Sequence, residues 1–391
     1  MGDNPEMKVD VLIVGGGLAG LSLAVALRKT RLSVALLEGR APVRPAGWDS
    51  RIYAVSPANA TFLASIGTWP HIDAARLTAV DAMEIHGDAE GRIDFSAYDA
   101  GADALAWIVE SSEMQAELWE SAKRQANLAL LCPAQPEALT FDGGTARLTL
   151  ADGKNIEAQL VVAADGAESW TRTVAGIKVN FHSYDQLGVV ANFRCEKPHR
   201  GTAFQWFRND GVLAWLPLPD NMISMVWSTP EINAIELQAL NENALCARVA
   251  EAGQHRLGTL LQLTPAIGFP LRLMRAPSSI APRLALIGDA AHTIHPLSGH
   301  GINLGFQDAR VLAELLAGKP DYIDSGDHAL LRRYERTRKE EVIALQTATH
   351  GLHKLFSPTW RPLSALRNAG LNATNALPMI KNVLVRYAIA S

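Results

Sequence analysis

Three places in the sequence join an apolar run to glycine or acidic residues in a way that suits phosphate and sugar binding. The first is the GxGxxG pattern of Gly15, Gly17 and Gly20. Its first glycine permits a tight turn, the second lets a pyrophosphate approach the backbone, and the third lets a helix pack closely on a strand. Glu38 ends the next apolar run, where a carboxylate accepts hydrogen bonds from both ribose hydroxyls. Because this acid disfavours a 2′-phosphate, the pattern indicates NAD or FAD rather than NADP.

The second and third places end an apolar run with an acid beside a glycine. Asp165 follows residues 160–163, and Asp289 follows residues 284–287. Further residues of a loop that suits ligand binding come after Asp289, namely Gly299, Gly301 and Asn303. Open α/β sheets bind ligands at the carboxyl ends of their strands, so we expect all three places to face one crevice. With Asp289 on a ribityl chain and the N–H groups of residues 301–303 at a pyrimidine edge, the two glycine loops would hold opposite ends of one FAD.

The elements that must position these residues follow from the hydrophobic pattern. Residues 9–14 and 33–37 predict buried strands on either side of a helix, which is the βαβ unit of a Rossmann-like sheet. Residues 181–229 instead predict short antiparallel strands separated by turns. We therefore expect an α/β fold with a parallel-sheet, Rossmann-like FAD-binding domain, an inserted antiparallel-sheet substrate domain and a C-terminal helical segment.

The central strands carry a concentration of aromatic side chains, at Trp206, Phe207, Trp215 and Trp227. For any single one of them, a place in the core of the sheet is the favoured interpretation. The alternative is that one face of the sheet lines an apolar pocket over the flavin. The candidates for that pocket are Trp215, Leu216 and Pro217.

Histidines at 292, 295 and 300 raise the question of a metal site. The first two have a spacing that places both on one face of a helix. Pro296 and the nearby glycines interrupt any helix, and no further ligand pattern follows, so we predict no metal. His295 and Pro296 are instead the candidate catalytic residues, on a loop expected to face the flavin; a structural, hydrogen-bonding role for His295 is the alternative.

Composition narrows the class of protein. The chain has 391 residues, 48% of them hydrophobic and 19% charged, with a net charge of −4 that gives no reason to expect nucleic acid as a partner. Cys132, Cys195 and Cys246 are far apart and predict free thiols in a reducing compartment. Residues 11–27 are uncharged, but three consecutive glycines argue against a membrane span. We expect a cytoplasmic protein.

The C-terminal region predicts helices of changing character. Residues 329–350 predict a long helix whose charges lie on a solvated face. After Glu341 there is no further acidic residue, while basic residues continue at Lys354, Arg361, Arg367, Lys381 and Arg386. Helical spacing joins the apolar residues Ile380, Val383, Leu384 and Tyr387. A basic amphipathic end suits peripheral contact with an anionic inner-membrane surface, packing on the rest of the chain, or contact with a partner protein in a complex.

The sequence resembles a known family along nearly its whole length. The segment "LIGDAAHTIHPLSGHGINLGFQDA", with the GxGxxG loop and the central Asp-Gly, resembles the class A FAD-dependent aromatic monooxygenases and, within them, the ubiquinone-biosynthesis hydroxylases of the UbiH/UbiF/VisC type. Further matching segments are "SRIYAVSPANATFLASIGTWPHI", "IVESSEMQAELW", "VVAADGAESWTR", "LAWLPLP" and "LRRYERTRK". The resemblance implies noncovalent FAD, NAD(P)H as a transient reductant, O₂ as co-substrate, and hydroxylation of the aromatic ring of a polyprenylated phenol.

Matching positions also imply site residues. The resemblance assigns FAD contacts to Gly15, Gly17, Gly20, Glu38, Arg51, Gln115, Asp289, Ile302 and Asn303. It places Asp165 and Arg51 where the pyridine nucleotide approaches, and the chain has no second GxGxxG for that nucleotide. The family usually has Ala-Gly-Gln where this chain has Ser298, Gly299 and His300, which makes His300 a candidate pocket residue and leaves the substrate's identity open.

Domain boundaries follow from the same reasoning. We predict an FAD-binding domain from residues 1–80, 106–180 and 278–345, a substrate domain from residues 81–105 and 181–277, and a C-terminal segment from residues 346–391. Two other functions use the same flavin fold. One is an isoprenoid reductase or cyclase, which consumes no O₂ for hydroxylation. The other is a non-catalytic, flavin-stabilised scaffold for a quinone-biosynthesis complex.

Overall fold

The parallel sheet predicted from the first βαβ unit is present. The structure, a computed structural model, describes residues 6–294, 301–356 and 361–390. Its strands are β1 (Glu6–Val14), β2 (Val34–Leu37), β3 (Ile52–Val55), β4 (Thr78–Val80), β5 (Ala82–His86), β6 (Arg92–Ser96), β7 (Ala106–Glu110), β8 (Leu128–Leu131), β9 (Pro136–Phe141), β10 (Ala146–Leu150), β11 (Asn155–Ala163), β12 (Asn180–Cys195), β13 (Thr202–Arg208), β14 (Gly211–Leu218), β15 (Met222–Pro230), β16 (Leu260–Gln262), β17 (Ile267–Arg275), β18 (Ile280–Ala281), β19 (Leu284–Leu286) and β20 (His292–Thr293). Its helices are α1 (Leu18–Ala26), α2 (Pro57–Ser65), α3 (Ala97–Ala100), α4 (Ser111–Lys123), α5 (Trp170–Val174), α6 (Glu231–Ala239), α7 (Glu242–Ala252), α8 (Gly301–Gly318), α9 (His328–Phe356), α10 (Arg361–Asn375) and α11 (Pro378–Ala390).

The first sheet has the strand order β18-β19-β11-β1-β2-β8, with β10 and β9 added antiparallel beside β11. Strands β8, β2, β1, β11 and β19 run parallel. Along β1, Val11 and Ile13 join the core under α1, α4 and α8, while Leu12 and Val14 join the core on the other face. Both faces are covered, which explains why residues 11–14 of β1 and the whole of β2 are continuous apolar runs in the sequence. The carboxyl ends of β1, β2, β11 and β19 therefore meet at one edge, as expected for the three ligand-binding places.

The second sheet is largely antiparallel and has the order β20-β17-β12-β15-β14-β13-β5-β6, with β16 beside β12. Helices α6 and α7 cover one of its faces and enclose a core that includes Trp206, Trp215 and Trp227. Its other face borders a large cavity that reaches the first sheet. A small third sheet, in the order β3-β7-β4, lies between these two parts of the fold.

The helices near the end of the chain are longer than the sequence indicated. Helix α8 begins at Gly301 and ends at Gly318. Helix α9 continues through residue 346, so the predicted boundary there falls within a helix. Strands β5 and β6, from residues 81–105, pair with each other and β5 pairs with β13. The predicted domain boundaries themselves stay a prediction.

A membrane-spanning helix and a cluster of metal-ligand side chains are both absent from the residues that the structure describes. Within residues 6–294, 301–356 and 361–390, no helix combines the length and apolar character needed to cross a bilayer. In the same ranges, no three His, Cys, Asp or Glu side chains group together as metal ligands would.

Candidate functional site

The early glycine loop is shaped by close backbone contacts. Gly15 has φ +110°, and a Cβ there would lie 2.4 Å from the carbonyl oxygen of Ala164. A Cβ at Gly20 would lie 2.1 Å from the carbonyl oxygen of Gly15, so only glycine lets α1 start this close to β1. At Gly17, by contrast, a Cβ would meet no described atom within 4 Å. Gly15 and Gly20 therefore shape the loop, while Gly17 leaves room for a ligand.

The N-terminus of α1 is suited to an anion. Among the described residues, no side chain caps it, and its first turn carries no acid. Its backbone N–H groups and the positive end of its dipole point into the cavity beside Gly17, Leu18 and Ala19. This donor set fits the pyrophosphate of a dinucleotide.

Glu38 and Gln115 flank the same loop. Glu38 accepts a hydrogen bond from the backbone N–H of Gly16 (2.6 Å) and another from that of Arg40 (3.1 Å). Gln115, on α4, donates through Nε2 to the carbonyl oxygen of Gly16 (2.8 Å) and lines the cavity. The Glu38 carboxylate thus lies just after the end of β2, beside the glycine loop. A ribose next to a pyrophosphate on that loop would lie beside this carboxylate.

The late loop reaches the cavity from the opposite side. Asp289 follows β19 and lines the cavity, where its side chain is exposed to the cavity space within the fold. Burial raises the pKa of its carboxyl, while His292 and Arg51 act in the opposite direction. The start of α8 also lines the cavity, at Gly301, Ile302 and Asn303. These groups offer a carboxyl, a second helix N-terminus and backbone N–H groups to the far end of a long cofactor.

The side chain of Asn303 is used within the protein. Its Oδ1 accepts from the backbone N–H of Ser56 (2.9 Å) and from Asn59 Nδ2 (3.0 Å), and its Nδ2 donates to the carbonyl oxygen of Ala54 (2.8 Å). The amide therefore ties α8 to the segment between β3 and α2. A ligand contact from this residue would come from its backbone.

Small residues bring the two helix N-termini together. A Cβ at Gly305, on α8, would lie 3.4 Å from both the Ala19 Cβ and the Gly288 Cα. Gly288 itself has φ +58°. Because α1 and α8 approach through these positions, both helices begin at the same cavity.

A buried charged network, not expected from the sequence, supports the late loop. Asp308 Oδ2 accepts from the backbone N–H of Gly288 (2.9 Å) and lies 2.7 Å from His292 Nε2, while Oδ1 accepts from Arg338 Nε (2.7 Å). Burial alone would raise the pKa of Asp308, but His292 and Arg338 outweigh it and hold that pKa below its usual range. Arg338 also donates to Gln307 Oε1 (2.9 Å). The network joins α8 and α9 to the turn that carries Asp289.

A second buried cation, Arg172, joins the central Asp-Gly junction to the late loop. Its guanidinium donates to the carbonyl oxygens of Ala290 (3.0 Å) and Ala167 (2.8 Å). Sequence reasoning missed this residue as well. The only signal for it in the sequence was an arginine in the short helix that follows the Asp-Gly pair.

The structure gives Asp165 a role different from the predicted cofactor contact. Its carboxylate accepts from Ser169 Oγ and from both the backbone N–H and the Oγ1 of Thr171 (2.9 Å each). It therefore organises the turn into α5, while Ala164, Gly166 and Ala167 present the cavity wall.

The pocket prediction needs a correction at Trp215. Its side chain is fully buried in the core against α7, where a Cβ on Gly253 would lie 2.1 Å from the indole. Leu216, the next residue of β14, lines the cavity, as does Ala214. Side chains of a strand alternate between faces, so Pro217 shares the face of Trp215 rather than that of Leu216. Of the three candidates, only Leu216 lies on the cavity face.

The remaining predicted residues divide into two groups. Arg51 lies at the cavity, with its guanidinium 5.5 Å from the centre of the Phe269 ring. His295, Pro296 and His300 lie outside the described residues. One end of the cavity therefore collects the predicted cofactor residues Gly17, Arg51, Gln115, Asp289, Gly301, Ile302 and Asn303.

This combination of a parallel sheet, a phosphate cradle and a facing second helix N-terminus defines a dinucleotide-binding flavoprotein, and the FAD binding domain family matches residues 8–349. The 3-demethoxyubiquinol 3-hydroxylase of Escherichia coli (strain K12) is 33% identical over 98% of this chain and 99% of its own length. Ubiquinone hydroxylase UbiL of Rhodospirillum rubrum is 33% identical over 99% of this chain and 90% of its own. The chain belongs to the FAD binding domain family, in its group of ubiquinone-biosynthesis hydroxylases.

A solved structure agrees in fold. The p-nitrophenol 4-monooxygenase PnpA from Pseudomonas putida DLL-E4 superposes with a TM-score of 0.80 over 99% of each chain, at 18% identity. Four predictions are thereby confirmed: the family, the α/β fold, FAD as cofactor, and an FAD-dependent hydroxylase as the class of enzyme.

Proposed function

We propose that this chain uses NAD(P)H and O₂ to hydroxylate the aromatic ring of a polyprenylated phenol in ubiquinone biosynthesis. The observation that carries the proposal is the cavity of about 1480 Å³ that runs from Gly17 to helix α11. Sites for one small ligand occupy about 300–1,000 Å³, so this cavity has room for a flavin and a second molecule. Its lining beyond the cofactor end is mainly aliphatic and aromatic, which suits a lipid-like phenol.

Each end of the cofactor would have its own set of contacts. Gly17 and the N-terminus of α1 would bind the pyrophosphate, and Glu38 the ribose. Asp289 and the backbone N–H groups at the start of α8 would bind the flavin end. Bound FAD supplies the oxygen-transfer chemistry after reduction by NAD(P)H.

The chain's own residues orient the phenol and keep water away. Leu216 and Phe269 present apolar surface beside the cofactor end of the cavity. Burial raises the pKa of Tyr53, which also lines the cavity, to about 12, so its hydroxyl stays protonated at neutral pH, where it can donate a hydrogen bond but does not act as a base. His295 and Pro296 stay the proposed catalytic residues.

The reductant and the substrate have different proposed contact residues. Arg51 lies at the cavity surface, and its positive charge suits the phosphates of NAD(P)H. His300 stays the proposed pocket residue that distinguishes the substrate of this chain from that of its relatives.

We also propose that the C-terminal helices contact an anionic membrane surface. Helix α11 packs on α2 and α3, yet Met379 and Val383 are 84% and 67% exposed. The chain after Glu341 adds only basic charge. Flotation of the protein with vesicles of phosphatidylglycerol, but not with pure phosphatidylcholine, is the expected result; equal recovery with both would contradict the electrostatic part.

The function is tested by assay of the FAD-loaded enzyme with a short-chain prenylated phenol. We expect oxidation of NADH or NADPH, uptake of O₂, and a product heavier by one oxygen atom in mass spectrometry, with ¹⁸O₂ as the source of that atom. Reduction or cyclisation without oxygen incorporation would instead identify the reductase or cyclase. In a deletion strain, accumulation of one prenylated precursor would identify the ring position, and its absence would exclude a role in quinone synthesis.

A further inference from the structure

The end of the cavity farthest from the glycine loop has a wall of its own. It lies where the last turns of α9 meet α10 and α11, opposite the hairpin of β5 and β6. The helices contribute Leu355, Phe356, Leu366, Leu371, Leu384 and Ile389 to the lining. The hairpin contributes Met83, Ile85, Ile93 and Phe95. We call this apolar end, defined by those ten residues, the distal chamber.

The distal chamber borders the outer surface. Leu366 lines it and is 69% exposed, and Leu384 lines it and is 47% exposed. On the same helix as Leu384, Val383 is exposed but does not line the chamber. The wall is therefore one helix thick, with apolar side chains on both sides of it.

The wall is attached to the sheet by specific polar contacts. Asp88, in the hairpin, accepts from Arg367 Nε (3.0 Å), Asn368 Nδ2 (2.7 Å) and Ser364 Oγ (2.8 Å). The Arg367 hydrogen bond, with those of Ser364 and Asn368, holds the pKa of Asp88 well below its usual range against the effect of burial. The carboxylate thus fixes α10 as part of the cavity.

Asparagines on α10 continue this attachment along the edge strand. The side-chain oxygen of Asn368 accepts from the backbone N–H of Gly91 (2.9 Å). The side-chain oxygen of Asn372 accepts from the backbone N–H of Arg92 (2.9 Å), and that of Asn375 accepts from the backbone N–H of Asp94 (3.1 Å). A helix thereby satisfies N–H groups of β6 that an edge strand would leave open. Specific hydrogen bonds therefore attach helix α10 of the distal chamber to the edge of the second sheet.

We propose that the distal chamber binds the isoprenoid chain of the substrate, and that the chain passes between α10 and α11 toward the membrane. This inference rests on the proposed function, because it assumes a prenylated phenol. An aromatic head at the flavin end leaves a chain of apolar carbons that must lie in the rest of the same cavity. The ten residues of the chamber present aliphatic, thioether and phenyl groups to it, and the exposed leucines mark where a chain too long for the chamber leaves it.

The test compares phenols that carry zero, one, two or three isoprenoid units, with FAD-loaded protein. For wild type we expect KM to fall about tenfold or more with each unit that the chamber buries, while kcat changes little. Leu384→Gln, which places an amide in the lining, should reduce that preference for prenylated phenols about tenfold. Ile235→Gln, at an exposed position on α6 away from the cavity, is the matched control and should behave as wild type.

A readout independent of turnover is photolabelling with a geranylgeranyl phenol that carries a diazirine at the end of its chain. We expect the label on α9, α10 or α11, and less of it in Leu384→Gln. Label on other elements overturns the chamber as the chain site, whatever the activity. Oxygen-dependent hydroxylation with no dependence on chain length refutes the chamber but leaves the proposed function standing. Labelling of these helices without hydroxylation of any phenol supports the chain site and refutes the reaction.

Discussion

Replacement of Asp308 by Asn tests whether the buried network supports the cofactor site. The carboxylate accepts three hydrogen bonds, from Gly288, His292 and Arg338. An amide of the same size must turn its NH₂ toward at least one of these donors. Arg338 would then keep its charge at a side chain only 4% exposed. Loss of one partner from a buried ion pair costs about 3–5 kcal/mol, so we expect Asp308→Asn to lower the free energy of unfolding by that amount.

Glu341→Gln is the matched control. Glu341 also pairs with Arg338, and the substitution is the same loss of charge without change of shape, but its side chain is 57% exposed. An exposed pair contributes about 1 kcal/mol or less. Urea unfolding followed by tryptophan fluorescence measures the free energy of unfolding of both variants. The comparison requires that this free energy fall with urea concentration at the same slope in both. Equal losses in the two variants would refute the reasoning, since burial would then not matter.

The same substitution has a defined pH dependence. The pKa of Asp308 is lower in the folded protein than the value of about 3.9 for an unfolded Asp. Its contribution to stability is therefore complete above that unfolded value and is lost as the pH falls toward the folded one. The difference between wild type and Asp308→Asn should be constant from about pH 5.5 to 7 and should shrink below about pH 4. The affinity for FAD, measured by flavin fluorescence, should fall with Asp308→Asn and not with Glu341→Gln. Unchanged affinity in Asp308→Asn would show that the network does not support the cofactor site.

Three further predictions concern the cofactor loop, the core and the thiols. Gly17→Ala places a methyl group at the open position beside the N-terminus of α1 and removes the close approach that the pyrophosphate needs. It should weaken FAD binding at least about tenfold in a fluorescence titration. Gly144→Ala, at an equally open glycine in a distant hairpin, should leave FAD binding unchanged. Trp215→Ala should lower the free energy of unfolding by about 3–5 kcal/mol, whereas Leu216→Ala should mainly change the KM for the phenol; the reverse pattern would show that the two faces of β14 are exchanged. Burial raises the pKa of Cys195 to about 12, so iodoacetamide at pH 8 should modify the two other cysteines first, as followed by peptide mass spectrometry.

The cofactor end of the site was predictable because its chemistry is local in the chain. A strand, a glycine turn and a helix start within a few residues of one another, so GxGxxG specifies both the geometry and the ligand class. Glu38 and Asp289 are candidates for the same reason, since each follows a buried parallel strand. Nothing in these arguments required knowledge of distant contacts.

The Asp308 network depends on partners far apart in the sequence. Arg338 is 30 residues from Asp308 and on a different helix. One signal was nevertheless present. Leu304, Asp308 and Leu312 follow one another at intervals of four, so the acid lies on the apolar face of α8, where an unpaired charge is too costly to be retained.

The error at Trp215 has a simple cause. Consecutive residues of a strand point to opposite faces, so Trp215, Leu216 and Pro217 could never line one pocket together. The pattern 213–216 is apolar on both faces, because one packs on α7 and the other borders the cavity. Without knowledge of which face packs on helices, the sequence leaves all three residues as pocket candidates, and only Leu216 lies on the cavity face.

The two glycine loops belong to one site because α1 and α8 are in direct contact. Ala19, Gly288 and Gly305 meet where the helices begin, at distances that leave little space for larger side chains. A single bulky residue there would push the N-terminal ends of α1 and α8 apart. Because α8 is in turn held by Asp308 to α9, the affinity for FAD and the stability of the fold should change together. The early and late loops are therefore parts of one packed unit, and their distance along the chain reflects the insertion of the second sheet between them.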